Sequence, residues 1–315
     1  MSRTFFSLVF ASALLSLGGC ADGHMTCRIG ADCASGVCLS NGTCARPVDA
    51  GPNDAAITHG DAGEPIDAAG SGVDAEVDAG ERICSPNHDG IVTRAEVPLR
   101  AGLRANFRIA QNATVSTAGT TSGGARTWDY SGSYSGDHDE LVELLAPGSS
   151  WWAAQFPTAT HAARVSASSD NLGVFQITDD ALLLLGVVSP AAGATQTRLR
   201  YDPPVVVLAF PLAEGNTFST TSAVSGQAVG VIAAYTEQYT SVVDASGTLV
   251  TPFGEIPALR VRTEMTRTSG LATLTSQRQF TFVGECFGIA ATIVSGAFET
   301  HVEFTTATEI RRLSP

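Results

Sequence analysis

From Cys84 to Pro315 the chain is a train of short apolar, β-branched and aromatic runs, and this texture constrains its fold more than any other feature. The runs are Leu103–Ala110, Glu140–Leu145, Leu172–Ile177, Leu182–Val188, Arg198–Tyr201, Val205–Phe210, Val229–Tyr239, Gly247–Thr251, Ala258–Thr268, Leu271–Phe282, Gly288–Val294 and Glu299–Leu313. Most are separated by Gly, Pro, Asn, Asp or Ser, which reverse or interrupt an extended chain. Arg260–Met265 and Gln277–Val283 alternate polar with apolar residues, as in strands with one packed face and one wet face. No long helical periodicity occurs; only a short stretch such as Trp151–Phe156 has room for a helical turn. The expected fold is all-β, an antiparallel meander forming a β-sandwich or a curved half-barrel. Residues 227–313 are its clearest meander, because consecutive strands with short links pair as antiparallel neighbours.

Composition agrees with that class and removes several functions. Only 16% of the 315 residues are charged while 44% are hydrophobic. All 18 basic residues are Arg, so no lysine is available for a Schiff base, a P-loop or a Ser-Lys dyad. The formal net charge of −13 argues against nucleic acid as a partner, since that binding needs basic patches to displace counterions. Much of the negative charge is local: residues 45–83 carry nine acids against Arg46 and Arg82.

The first 83 residues read as three segments. Residues 1–19 have Arg3, then the apolar run Phe5–Leu17, too short to span a bilayer, then small residues: the pattern of a secretory signal. Leu17-Gly18-Gly19-Cys20 resembles the lipobox of bacterial lipoproteins, whose cysteine becomes an acylated N-terminus; Cys20 is therefore the expected lipidation site. Ala21, where an Asp would suggest inner-membrane retention, favours the outer membrane or cell surface of a Gram-negative bacterium. The expected partner is thus a membrane, held through the N-terminal lipid.

Residues 20–44 form a stub with Cys27, Cys33, Cys38 and Cys44 and almost nothing apolar between them. So small a piece in an oxidising compartment takes its order from disulfides. Zinc sites prefer tighter cysteine pairs. Three connectivities are open, and analogy with small secreted modules suggests Cys27–Cys38 with Cys33–Cys44. Residues 45–83, in which Asp-Ala recurs, have little to bury and read as a disordered acidic linker. Residues 84–315 are the all-β domain.

Within that domain Ser85–Glu96 can be laid on a twelve-position calcium loop, with Asn87 at position three, Asp89 at five, the Ile91 carbonyl at seven and Glu96 at twelve. Position one is Ser85, so a ligand charge is missing. One structural calcium is the cofactor this reading implies; the alternative is an Asn-x-Asp-Gly turn followed by a capping box of Thr93 and Glu96. Cys84 and Cys286 remain as a disulfide pair, with two free thiols the alternative.

Asp137-His138-Asp139-Glu140 resembles a metal cluster, but neighbours on an extended chain point oppositely, and a solvated acidic turn is the simpler reading. No His-Glu-x-x-His or Gly-x-Ser-x-Gly motif occurs. The acids Asp129, Glu140, Glu237, Asp244 and Glu264 could pair in a cleft. Trp128, Tyr130, Phe175, Phe210, Tyr235, Phe280 and Phe282 are core candidates, and of Trp151-Trp152 one ring is expected outside the core.

The whole arrangement of lipobox, cysteine-rich stub, Asp-Ala linker and Cys84-Ser-Pro-Asn-x-Asp-Gly resembles the surface lipoproteins of myxobacteria. Trp128–Gly132, Tyr201–Pro204, Phe210–Leu212 and Thr251–Val261 resemble uncharacterised secreted β-domains of those and related bacteria. Hairpins of the type Thr251–Val261 are also similar to the curved sheets of lipoprotein-carrier-like periplasmic proteins. The expected function is a lipid-anchored, non-catalytic binding or structural domain. Two alternatives remain: a carrier cradling an apolar ligand, which requires a cavity of roughly 300–1,000 Å³, and a hydrolase, which requires converging carboxylates.

Overall fold

The computed structural model describes residues 84–315. The signal 1–19, Cys20, the stub cysteines Cys27, Cys33, Cys38 and Cys44, and the linker 45–83 lie outside the described residues. Fourteen strands are present: β1 (Arg104–Thr114), β2 (Thr120–Ser122), β3 (Ala125–Asp129), β4 (His138–Glu143), β5 (His161–Ser166), β6 (Ser169–Ile177), β7 (Ala181–Val188), β8 (Arg198–Ala209), β9 (Thr217–Ala228), β10 (Val231–Thr251), β11 (Gly254–Ser269), β12 (Ala272–Gly284), β13 (Gly288–Ser295) and β14 (Thr306–Leu313). Among the described residues helix is limited to two 3-10 turns, Arg94–Glu96 and Ala153–Gln155.

The strands form one antiparallel sheet in the order β4-β1-β14-β13-β12-β11-β10-β9-β8-β7-β6-β5. From β5 to β14 this is an unbroken meander. After it the sheet turns back to β1, which pairs with β14 from Phe107↔Leu313 to Thr114↔Thr306. A single bridge, Leu145↔Ala162, joins the end of β4 to β5 and almost closes the sheet into a barrel. The curved alternative, and not the sandwich, is therefore the one the chain adopts. β10 is long enough to serve two partners on one edge: β9 pairs with Val231–Val242, and beyond a bulge at Asp244 the same edge takes β3 in parallel at Thr248–Val250.

The pleat divides the sheet residues between two faces. On the outer face Trp128 and Tyr130 of β3 and its following turn lie over Phe280, Phe282, Ile293 and Ile310. Arg260 is also here, 2% exposed, between the rings of Trp128 and Phe280. Its guanidinium donates to Asp244 at 2.8 and 3.0 Å, to Glu303 at 2.8 and 3.2 Å, and to the Thr117 carbonyl at 2.6 Å. A second outer cluster buries Trp152 and Phe156 against Leu172, Val174 and Leu185. Of the tryptophan pair, Trp152 is therefore core, while half-buried Trp151 donates its indole N–H to the Ser189 carbonyl at 3.1 Å.

On the inner face the segment before β1 closes one end. Val92, Val97 and Leu99 pack on Leu208, Leu212, Val261 and Val283, each burial stabilising by roughly 1.5–3 kcal/mol. Cys84–Cys286 is a disulfide, S–S 1.98 Å, that fastens this segment to the β12–β13 turn. The Cys286 N–H also donates to the Glu96 carbonyl at 2.7 Å.

Candidate functional site

The curled sheet forms a partly open cavity of about 500 Å³. Its wall has two parts, set by which strands contribute. β6–β8 and Phe107 of β1 supply an apolar side that includes Phe175, Leu182, Leu184, Val205 and Val207, while β1 and β5 also bring Arg104, His161 and Arg164 to the wall. β10–β14 supply a polar side with Tyr239, Thr263, Gln279, Thr281, Glu309 and Arg311. The division follows from residue type along each strand: β7 and β8 present Leu and Val inward, whereas the inward positions of β11 and β12 carry Thr and Gln.

The polar groups of the wall are largely held by one another. Glu309 accepts from Arg311 Nε at 2.7 Å, and its other oxygen accepts from Ser166 Oγ at 2.7 Å and the Ala167 N–H at 2.8 Å, tying β14 to the β5–β6 turn. Arg311 Nη1 donates to the Arg164 carbonyl at 3.3 Å, while Nη2 is buried without a partner. Gln279 donates to Thr281 Oγ1 at 2.9 Å. His161, 2% exposed, lines the cavity with its ring stacked on Phe175 at 5.4 Å. Burial, with Arg94 adding repulsion, lowers its pKa to about 4, so the ring is neutral at ordinary pH.

Beside the cavity, buried Glu237 accepts from the Tyr239 hydroxyl and from Arg267 Nε at 2.7 Å, and Arg267 lies over Tyr235. Burial raises the Tyr201 and Tyr239 hydroxyls above the usual phenol range, and the charge of Glu237 adds to this. Both hydroxyls stay protonated, and Tyr239 donates its proton to Glu237.

Of the other acids singled out in the sequence, only Asp244 and Glu264 are linked, through Arg262 between them. Asp129 accepts from Ser131, which lowers its pKa through that hydrogen bond. Glu140 pairs with Arg164 at 2.9 Å, Asp244 with Arg260 and Arg262, and Glu264 with Arg262 and Arg278. Asp137-His138-Asp139-Glu140 is not a solvated turn: from His138 onward it is edge strand β4, and its three carboxylates each meet a different arginine. Asp137 binds Arg312 at 2.8 Å, Asp139 binds Arg108 at 3.0 Å and Glu140 binds Arg164. The arginines stand on β14, β1 and β5, which no local reading of the tetrapeptide could supply.

The Ser85–Glu96 stretch takes the geometry of the turn. Asp89 N–H donates to Asn87 Oδ1 and Ile91 N–H to Asp89 Oδ1, while Asn87 Nδ2 donates to Asp89 Oδ2 at 3.1 Å. Glu96 is turned to Thr93, accepting from its N–H and hydroxyl at 2.8 Å in the capping box. The carboxylate nearest Asn87 in this arrangement is Glu285, which accepts the Asn87 and His88 N–H groups at 2.8 and 2.9 Å. Among the described residues no group of three or more His, Cys, Asp or Glu is gathered as a metal site.

Sequence reasoning did not single out Glu309, Arg311 or His161 as a site. The available signal is in β14: Ala307-Thr308-Glu309-Ile310-Arg311 places two opposite charges at alternate positions of a strand whose other face is core. No protein-family model matches the chain, and no curated protein or solved structure matches it either.

Proposed function

We propose that this domain is a non-catalytic binding module that holds an apolar ligand inside its barrel, displayed outside the cytoplasm on a lipid-anchored chain. The observation that carries the reading is the cavity of about 500 Å³ with its apolar side on β6–β8 and Phe107 of β1. Ligand sites are of this size, mostly apolar, with a few fixed polar groups. The non-catalytic reading is supported by the pairing of Glu140, Glu237, Asp244 and Glu264 with arginine, and by a neutral His161 with no carboxylate bonded to it. The Leu17–Cys20 motif supports the anchor.

The purified protein, stripped of lipid by organic extraction and refolded, should give saturable fluorescence enhancement with diphenylhexatriene, an apolar probe dark in water. Val207→Trp, which places a large ring in the cavity, should weaken that binding at least tenfold with the fold retained by circular dichroism. Equal binding by wild type and V207W, or no saturable binding, would remove the ligand reading. For the anchor, incorporation of radioactive fatty acid should vanish in Cys20→Ser; unchanged labelling would overturn it.

A further inference from the structure

Strand direction sorts the hairpin turns into two groups. The β6–β7, β8–β9, β10–β11 and β12–β13 turns share the end that carries Cys84–Cys286, where the described chain begins. The β5–β6, β7–β8, β9–β10 and β11–β12 turns lie at the opposite end. Three neighbours in this second group are free of charge: residues 189–197, 225–236 and 268–277 contain no Asp, Glu, Arg or His. At 16% charged, thirty-one residues of this chain would carry about five charges.

These turns form one rim. The Gly230 N–H donates to the Gln196 carbonyl at 3.1 Å and the Val229 N–H to Thr197 Oγ1 at 3.2 Å, joining the first turn to the second. The second reaches the third because β10 and β11 stay paired up to Thr236↔Thr268. At the tips stand aliphatic side chains that bury nothing within the domain: Leu271 is 107% exposed, Ile232 85%, Val231 69% and Val229 67%. A turn that merely reverses the chain is built from Gly, Asn, Asp or Ser. Two of the turns do hold the glycines their backbones need, Gly230 and Gly270, both at positive φ. Val229 shares the turn with Gly230 at φ 52°, a conformation that costs a β-branched residue, while Val231, Ile232 and Leu271 have no such task.

We infer that this rim inserts into the surface of a lipid bilayer. A protein partner of the usual kind would be met by aromatic or arginine anchors inside a polar border. Here the tips are aliphatic, and the charges stand at the roots: Arg198 after the first turn, Arg267 and Arg278 of the third hairpin, paired with Glu237 and Glu264, and Glu299 and His301 in the β13–β14 loop, whose Phe298 N–H donates to the Ser276 carbonyl at 2.7 Å. Insertion would rest on apolar burial alone, so neutral lipid suffices and salt has little effect. The rim stands at the end away from Cys84, and the proposal does not depend on the ligand reading.

The test uses residues 20–315 carrying Cys20→Ser, which removes the apolar run Phe5–Leu17 and the acylation site. The protein is floated on a density gradient with phosphatidylcholine vesicles. The expected result is flotation unchanged between low and 0.5 M salt, approximately, since screening acts on charges and not on apolar burial. Ile232→Asp with Leu271→Asp should reduce the floated fraction at least tenfold. Both residues are exposed, and an unchanged melting temperature would show the fold intact. Failure of the parent chain to float, equal flotation of the double variant, or self-association abolished by the same substitutions without flotation would each overturn the proposal.

Discussion

Removing Cys84–Cys286 is the perturbation whose size is best fixed by the structure. The bridge spans 202 residues of sequence, nearly the whole described domain. In the chain-entropy view a closed loop of that length restricts the unfolded chain by about 5 kcal/mol at 25 °C. Unfolding entropy near the melting point is about 2.1 cal/mol/K per residue, or about 0.5 kcal/mol/K for residues 84–315. Cys84→Ser with Cys286→Ser should therefore lower the melting temperature by about 10 °C. The native side is buffered against the change, because the Cys286 N–H bond to the Glu96 carbonyl and the clasp of Glu285 on Asn87 and His88 remain. Scanning calorimetry of the double variant in the full chain, at matched scan rate, measures the shift. A melting temperature within about 2 °C of wild type would refute the assignment of the effect to the unfolded chain. A second readout is local: without the bond, Val92, Val97 and Leu99 are held by packing and a few hydrogen bonds, among them the Val92–Leu212 pair, so protease sites before Leu99 should open before global unfolding.

Two other perturbations address buried charge. Arg260→Met removes the cation between Asp244 and Glu303 while keeping a chain over Trp128, and should cost about 3 kcal/mol in urea unfolding. That is the low end for a broken buried pair, because Glu303 is one-third exposed and rehydrates; a loss under about 1 kcal/mol would contradict the packing described. His161 has a folded pKa of about 4 against an ordinary value of 6.5, so the unfolded chain takes up a proton before the folded one does. Its contribution is complete above about pH 6.5 and declines by about 1.4 kcal/mol per pH unit as pH falls toward 4. His161→Phe should flatten this part of the stability profile in urea titrations at several pH values; a profile with wild-type slope would reject it.

The strand pattern was readable wherever inward residues are large. β6, β7 and β13 match the expected Leu172–Ile177, Leu182–Val188 and Gly288–Val294 within a few residues. β9 was missed because its inward positions are Thr220, Ser222 and Val224, so the alternation exists in burial but hardly in hydropathy. β5 hides in His161-Ala162-Ala163 for a similar reason. Arg198–Tyr201 and Val205–Phe210 read as two strands across Pro203-Pro204, yet β8 continues through them, keeping β7 as partner on both sides while its pairing with β9 ends at Asp202. Glu299–Leu313 was read too long: residues before Thr306 form a loop that buries Phe304 on the outer core. The cavity was legible only as an alternative, because it depends on how far the sheet curls, and curl is a sum over twelve strands that no single segment encodes. Glu309 and Arg311 stayed hidden since their partners, Ser166 and Ala167, lie more than 140 residues away.

The junction of β4 and β5 sets this barrel apart from one with no free strand edges. Leu145 and Ala162 exchange two backbone bonds, 2.7 and 2.8 Å, and Glu140–Arg164 is the ion pair beside them. Elsewhere along both strands the backbone groups that face the gap have no ladder partner. Such open edges invite a foreign strand, and charges on them repel it. Asp139, Glu140, Arg164 and Asp170 line this gap from both sides. The same residues that keep another chain out leave a seam of two hydrogen bonds, the line along which the wall can part while every other ladder stays paired.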